Sequence, residues 1–153
     1  MEVLSRFNVV FIILRDVENK PGVGAEIMKS LSSLGVEIES FQAYSLPASK
    51  YADIVVMVRE ENVERAVLGI NATRRKVKRE GPFVVADITG ITIRGTGIKE
   101  NSKVLEQAFS ICASHNVNVV MAYTTLISLN LYVSSTDLTL EVMKALQSEF
   151  EKL

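Results

Sequence analysis

Residues 15–41 read RDVENKPGVGAEIMKSLSSLGVEIESF, and they join an apolar run to a helix that opens on Lys20, Pro21 and Gly22. Upstream, Phe7 to Leu14 (FNVVFIIL) is apolar on both alternating faces apart from Asn8, the pattern of a strand in a sheet covered on both sides. Downstream, Val23, Ile27, Leu31 and Leu34 recur at helical spacing, and Gly35 supplies a left-handed stop before the strand VEIESFQAYSL. Pro47 to Lys50 makes a turn, ADIVVMVR a further strand, and Val63, Ala66, Val67 and Ile70 a second amphipathic helix. The order is β-α-β-β-α, with RRKVKRE (residues 74–80) as a candidate final strand.

The second half repeats this order. VVADITGITIRG is a strand, Val104, Ala108, Ile111, Cys112 and His115 mark a helix, VNVVMAYTT and ISLNLYV are strands, and Leu138, Val142, Leu146 and Phe150 mark the last helix. Val23 and Val104, like Val36 and Val117, are 81 residues apart, whereas Val58 and Val133, like Val63 and Leu138, are 75 apart. The hairpin is therefore six residues shorter in the second copy. The repeat predicts an α+β protein of two ferredoxin-like βαββαβ modules, residues 1–80 and 81–153, each an antiparallel sheet with two helices on one face. The two are expected to pack side by side, and RRKVKRE completes either the first or the second. Bare sheet faces and edges in such modules favour packing between modules or dimerisation.

Composition bounds the function. With 48% hydrophobic and 23% charged residues the 153-residue chain is globular in balance, and 17 basic against 18 acidic side chains leave a net charge of −1. That argues against a surface built for nucleic acid or anionic lipid. One cysteine, Cys112, provides neither a disulfide framework nor a thiolate metal site, so a reducing, cytoplasmic location is expected. The eight-residue run FNVVFIIL is too short to span a membrane and no small-residue cleavage site follows it.

The start of the first helix carries the chemistry. Proline suits the first helical position, where its missing N–H would be unpaired anyway, and Asn19 or Lys20 then falls where the cap belongs. Gly22, without a β-carbon, lets a ligand approach the backbone, where the N–H groups of Gly22, Val23 and Gly24 and the positive helix end favour a carboxylate or phosphate. An α-amino acid is one suitable guest, with the Asn19 side-chain oxygen, strand-end carbonyls or Asp16 accepting from its ammonium group. A plain strand-to-helix turn explains the same residues, since Pro and Gly are common turn formers.

NKPGVGAEIMKSLSSLGVEIESFQAY followed by ADIVVMV resembles an ACT domain, the small amino-acid-sensing module with the pattern Asp or Asn, any residue, Pro, Gly between its first strand and first helix; here these are Asn19, Pro21 and Gly22. ITIRGTGIKENSKVLEQAFSICASHNVNV is similar to the second ACT module of aspartokinases, including the pair Gly95 and Gly97. The resemblance covers almost the whole chain and implies paired modules, paired chains, and an amino-acid effector such as lysine or threonine at a module interface. It also implies a separate amino-acid kinase catalytic chain as partner, since no glycine-rich nucleotide loop is found here. Carried over, the effector contacts are Asn19, Gly22, Val23 and Gly24, with Gln42, Ser45 and Asp53 on the following strands. In the second copy IKENSK replaces the Pro-Gly loop, leaving Asn101 or Ser102 as an ordinary helix cap and no full site of its own. Where aspartokinases carry Ser-Thr-Ser-Glu, this chain has Tyr123, Thr124, Thr125 and Leu126. The acidic partner of a cationic effector is gone, while Thr124 and Thr125 suit a neutral or hydroxylated amino acid, or serve as ordinary strand formers.

Other features read as structural. Within RRKVKR, Arg74, Lys76 and Lys78 alternate with Arg75 and Arg79, and without interleaved aromatics the run reads as charge protecting an edge strand. Cys112 reads as a packed core residue, and His115 as a contact at a helix C-terminus with no second histidine to share a metal. Glu60 with Glu61, and Glu149 with Glu151, lie at helix ends without sign of a cleft, so no catalytic residue, metal or cofactor is expected. The expectation is a non-enzymatic, dimeric or larger regulatory protein of aspartate-family amino-acid biosynthesis. An assembly module that scaffolds an enzyme without binding a metabolite is the alternative, and a small phosphatase of ferredoxin-like fold a third.

Overall fold

In the computed structural model, residues 1–98 and 102–152 are described. The elements run β1 (Glu2–Glu18), α1 (Val23–Ser33), β2 (Ser40–Tyr44), β3 (Tyr51–Arg59), α2 (Val63–Asn71), β4 (Glu80–Arg94), α3 (Ser102–Ser114), β5 (Val119–Thr124), β6 (Ser128–Ser134) and α4 (Leu140–Phe150). The chain forms two compact units, one of Asn8–Ala86 and the other of Met1–Phe7 with Asp87–Leu153. This division differs from the 80/81 boundary read from the sequence. The two long strands, β1 and β4, each contribute one part to either unit.

Hydrogen-bonded strand order is β2-β3-β1-β4 in the first unit and β5-β6-β4-β1 in the second, so each unit has the ferredoxin-like arrangement. The final strand of each comes from the other sequence half: residues 80–86 of β4 close the first unit, residues 2–7 of β1 the second. Both boundaries fall at a left-handed residue, Asn8 with φ 58° and Asp87 with φ 59°. Asn and Asp are the non-glycine residues that best tolerate this conformation. Basic residues 74–79 lie outside any strand, contrary to the edge-strand reading. They form a turn in which Val77 is buried in the first core, the Thr73 hydroxyl donates to the Ile70 carbonyl (2.7 Å), and the Arg79 guanidinium donates to the carbonyls of Ile70 (2.7 Å) and Val77 (2.8 Å).

In the first unit β1 and β3 pair antiparallel from Val9↔Arg59 to Glu18↔Tyr51, and β2 pairs β3 with Gln42↔Val55 and Tyr44↔Asp53. Val10, Ile12 and Leu14 point inward at period two, and then Val17 does. The shift of parity is a bulge between Leu14 and Val17, with Asp16 at φ 50°. Val23, Ile27 and Leu31 of α1 and Ala66 and Ile70 of α2 close this core. Ile27 and Leu31 are fully buried, each contributing about 1.5–3 kcal/mol of apolar burial. The two helices meet at Gly69, where an added Cβ would lie 3.3 Å from both Leu31 Cδ2 and Leu34 Cδ1, and the Ser30 hydroxyl donates to the Gly69 carbonyl at 2.6 Å.

The second unit pairs β4 with β6 from Ile88↔Ser134 to Arg94↔Ser128, and β5 with β6 from Val119↔Val133 to Thr124↔Leu129. Its core joins Val3, Ile91, Ile93, Leu129, Leu131 and Val133 to Val104, Ala108 and Cys112 of α3 and Val142, Leu146 and Phe150 of α4. Residues 1–7 are tied in by more than Val3: Arg94 pairs with Glu2 at 2.6 Å, the Val3 amide donates to Glu151 Oε1 at 2.9 Å, and the Arg6 guanidinium donates to Thr92 Oγ1 and to the Tyr132 hydroxyl (3.3 Å). Cys112 is buried, and burial raises its thiol pKa. His115 follows the last residue of α3, its Nδ1 2.9 Å from the Ile111 carbonyl, the expected C-terminal contact. Of the two cap residues expected for α3, Ser102 is the first helical residue and Asn101 lies outside the described residues. No helix among the described residues is long and apolar enough to cross a membrane.

Candidate functional site

Helix α1 begins at Val23, one residue after Gly22 and two after Pro21. Proline is therefore not its first residue, and neither Asn19 nor Lys20 caps it. The cap is Gly22 itself, at φ 92° and ψ −13°, with no side-chain hydrogen bond, and its carbonyl accepts the first intrahelical bond from the Glu26 amide at 3.0 Å. A glycine is required here by the positive φ, since an added Cβ would meet nothing within 4 Å. With Gly22 as the cap, helical geometry leaves the N–H groups of Gly22, Val23, Gly24 and Ala25 without an intrahelical partner. Gly24 also faces open space, with an ordinary φ.

Around this helix start lies a depression of about 240 Å³ lined by Lys20, Pro21, Gly22, Val23, Glu26 and Lys76. The helix end favours an anion, and two lysines add to that. Each lysine already has a carboxylate, Lys76 with Glu26 at 3.6 Å and Lys20 with Glu18 at 3.2 Å. An arriving carboxylate competes with Glu26 for Lys76 and finds the backbone donors unengaged by any side-chain cap. Lys76 was hidden in the basic run. Its alternation imitated a strand, and only the turn fixed by Thr73, Val77 and Arg79 delivers it to α1.

A second depression, of about 210 Å³, lies at the turn end of the β2–β3 hairpin and is lined by Asp16, Tyr44, Ser45, Leu46, Ser49, Tyr51, Ala52 and Asp53. The bulge that restores Val17 to the core also presents Asp16 to it. Asn19 sits next to this hairpin: its amide Nδ2 donates to the Ser49 carbonyl at 2.8 Å and its backbone N–H to the Lys50 carbonyl at 3.0 Å. The structure thus gathers Gly22 and Val23 at one depression and Ser45 and Asp53 at the other, with Asn19 bonded to the hairpin. Ser45 lies just beyond the end of β2, Gln42 sits within it opposite Val55, and neither Gln42 nor Gly24 lines either depression. Thr124 and Thr125 belong to the second unit. There Thr125 closes the β5–β6 turn through its amide to the Ser128 carbonyl (2.8 Å) and its hydroxyl to Ser128 Oγ (2.6 Å). Among the described residues no group of three or more His, Cys, Asp or Glu is placed to hold a metal ion.

Two ferredoxin-like units, joined through two long strands, are the fold of the ACT-type regulatory region of aspartate kinases. The ligand-free regulatory subunit of aspartate kinase from Thermus thermophilus superimposes with a TM-score of 0.86 at 17% identity, covering 98% of this chain and 97% of that one. A structure of aspartokinase alpha and beta subunits matches with a TM-score of 0.84 at 15% identity, over 99% of both chains. In sequence, the aspartate kinase of Stutzerimonas stutzeri is 22% identical over 140 residues, 92% of this chain and 34% of that protein. The chain therefore spans about a third of the length of the curated relatives it matches. No protein-family profile matches it.

Proposed function

We propose that this chain is a non-catalytic, amino-acid-sensing regulatory component of an aspartate kinase. The observation that carries the reading is the uncapped start of α1, open beside Gly22 and Gly24 and flanked by Lys76, in a fold shared over nearly its full length with an aspartate kinase regulatory subunit. The α-carboxylate of the effector takes the N–H groups of Val23 and Gly24, and its ammonium group turns toward Asn19 Oδ1. Gln42, Ser45 and Asp53 on the neighbouring strands of the same unit discriminate the side chain. Occupancy stabilises one arrangement of modules and chains over another by its differential affinity, and a coupling of about 1–3 kcal/mol is enough to regulate a kinase partner.

Thermal unfolding of the purified chain against the twenty amino acids and diaminopimelate tests this. A ligand at a hundred times its dissociation constant adds about 2.7 kcal/mol to stability. Stabilisation by one or two related amino acids, lost in Gly24→Val, is the expected result. Gly24 is the cleaner position, because a side chain there meets no strain, whereas any substitution of Gly22 also forces a left-handed residue. A flat response to the whole panel, with a kinase co-purifying, sinks the sensor and leaves the assembly module that binds no metabolite.

A further inference from the structure

Beyond the depression at the start of α1, a third depression, of about 230 Å³, lies further along that helix, against the turn that follows α2. Lys29, Ser30, Ser33 and Thr73 are among its lining residues. Glu26 and Lys76 line both, so their ion pair, at 3.6 Å, stands between the two. The hydroxyls of the third depression are already spent: Ser30 donates to the Gly69 carbonyl, Ser33 to that of Ser30 and Thr73 to that of Ile70. Its charged groups are therefore Glu26, Lys29 and Lys76. Lys29 is exposed and has no carboxylate partner among the described residues.

Glu26 thus has two cations within its surroundings and is paired with one of them. Lys76 reaches it from the turn, with 68% of its side chain exposed against 39% for Glu26, and a pair this open to solvent is weak. Lys29 stands three residues further along α1, where a carboxylate preceding a lysine on the same helix face pairs favourably. A carboxylate that settles on the Val23 and Gly24 amides brings a like charge beside Glu26 and a new partner for Lys76. The turn that carries Lys76 is pinned by Thr73 and Arg79 to the end of α2, so the exchange needs only side-chain movement.

We propose that Glu26 is a built-in competitor for the carboxylate of the effector: before binding it holds Lys76 beside the helix start, and on binding Lys76 passes to the effector while Glu26 turns to Lys29. Glu26 is then a positioning residue that sets the affinity of the site without touching the effector, and Lys29 acts only through Glu26. This role presupposes the effector site proposed above.

Titration of the ¹⁵N-labelled chain with sodium acetate at constant ionic strength, followed at the Val23 and Gly24 amides, tests it with a probe that carries the carboxylate alone. The twenty amino acids are titrated alongside. Glu26, Lys29 and Lys76 lie outside both cores, so the variants leave the packing intact. Glu26→Gln is expected to tighten acetate by about two- to fivefold, the range open to an exposed ion pair, and Lys76→Gln to weaken it. Lys29→Gln weakens acetate by a similar factor in the wild-type background and changes nothing beside Glu26→Gln, a dependence that general screening by a nearby lysine would not produce. A Glu26→Gln variant that binds acetate no tighter overturns the proposal. So does a Lys29→Gln loss of equal size in both backgrounds, or a pair of amides that acetate moves in neither the wild type nor Glu26→Gln. The effector reading fails separately: a flat response to every amino acid, with the acetate cycle intact, removes the sensor and keeps Glu26 as a competitor for anions.

Discussion

Gly22 and Gly24 stand two residues apart, and replacing each by alanine should shift stability in opposite directions. At Gly22, φ 92° is a left-handed backbone that costs an L-residue about 1–2 kcal/mol, and because no atom lies within 4 Å of the added methyl group, nothing else enters the balance. At Gly24 the backbone is helical, the methyl group again meets nothing, and exchanging glycine for alanine in a helix gains up to about 1 kcal/mol. The separation between the two variants is then about 2 kcal/mol. For a chain of this size that corresponds to about 4–8 °C in Tm, at about 2–4 °C per kcal/mol. Urea unfolding and thermal melts followed at 222 nm measure it in the absence of any ligand. Equal destabilisation by both substitutions, or a Gly22→Ala variant as stable as the parent, would refute the assignment of Gly22 to backbone conformation and leave the approach of a ligand as its reason.

Arg6→Ala removes the bonds to Thr92 and Tyr132 and should cost about 1–3 kcal/mol, and hydrogen exchange should show the loss in β4 and β6 rather than in β2 and β3. Tyr132 is fully buried, and its phenol pKa is pushed well up by burial first and then by Tyr123, against an opposing effect of Arg6. The folded state therefore holds this proton more tightly than the unfolded chain, whose phenol ionises near about pH 10. Its contribution is complete below that pH and falls as pH rises above it; Tyr132→Phe should flatten that part of the stability–pH curve. The Cys112 thiol, buried and raised in pKa, should resist iodoacetamide in the folded protein and react at the unfolded rate once urea opens the second unit. Rapid labelling of the native chain would contradict its place in that core.

Periodicity located the elements because each helix buries one stripe: Val23, Ile27 and Leu31 in α1 and Val142, Leu146 and Phe150 in α4 lie inward as their spacing predicts. The exchange of strand ends was not legible. Of residues 2–7 only Val3 is buried, and the groups that hold them, Thr92, Arg94, Tyr132 and Glu151, are remote in sequence. The run at 74–79 imitated a strand because charges alternated about Val77, whereas its structure depends on side-chain bonds to the carbonyls of Ile70 and Val77. In the candidate site, Gly22 was legible as a special residue but not the reason for it, since open approach and positive φ both select glycine. Ser45 and Asp53 came together as neighbours because they flank one hairpin, while Asp16 reaches the same depression only through a bulge.

An amino acid held at the start of α1 would lie against the first backbone amides of that helix. Backbone amide NMR of the ¹⁵N-labelled chain, titrated with the amino acid that gives the largest thermal stabilisation, tests it most directly. The largest shifts are expected at Val23, Gly24 and Ala25, with smaller ones at Asn19 and Ser45, and all are lost in Gly24→Val. Saturable shifts that leave those three amides unmoved, or a spectrum that no amino acid changes, would contradict it.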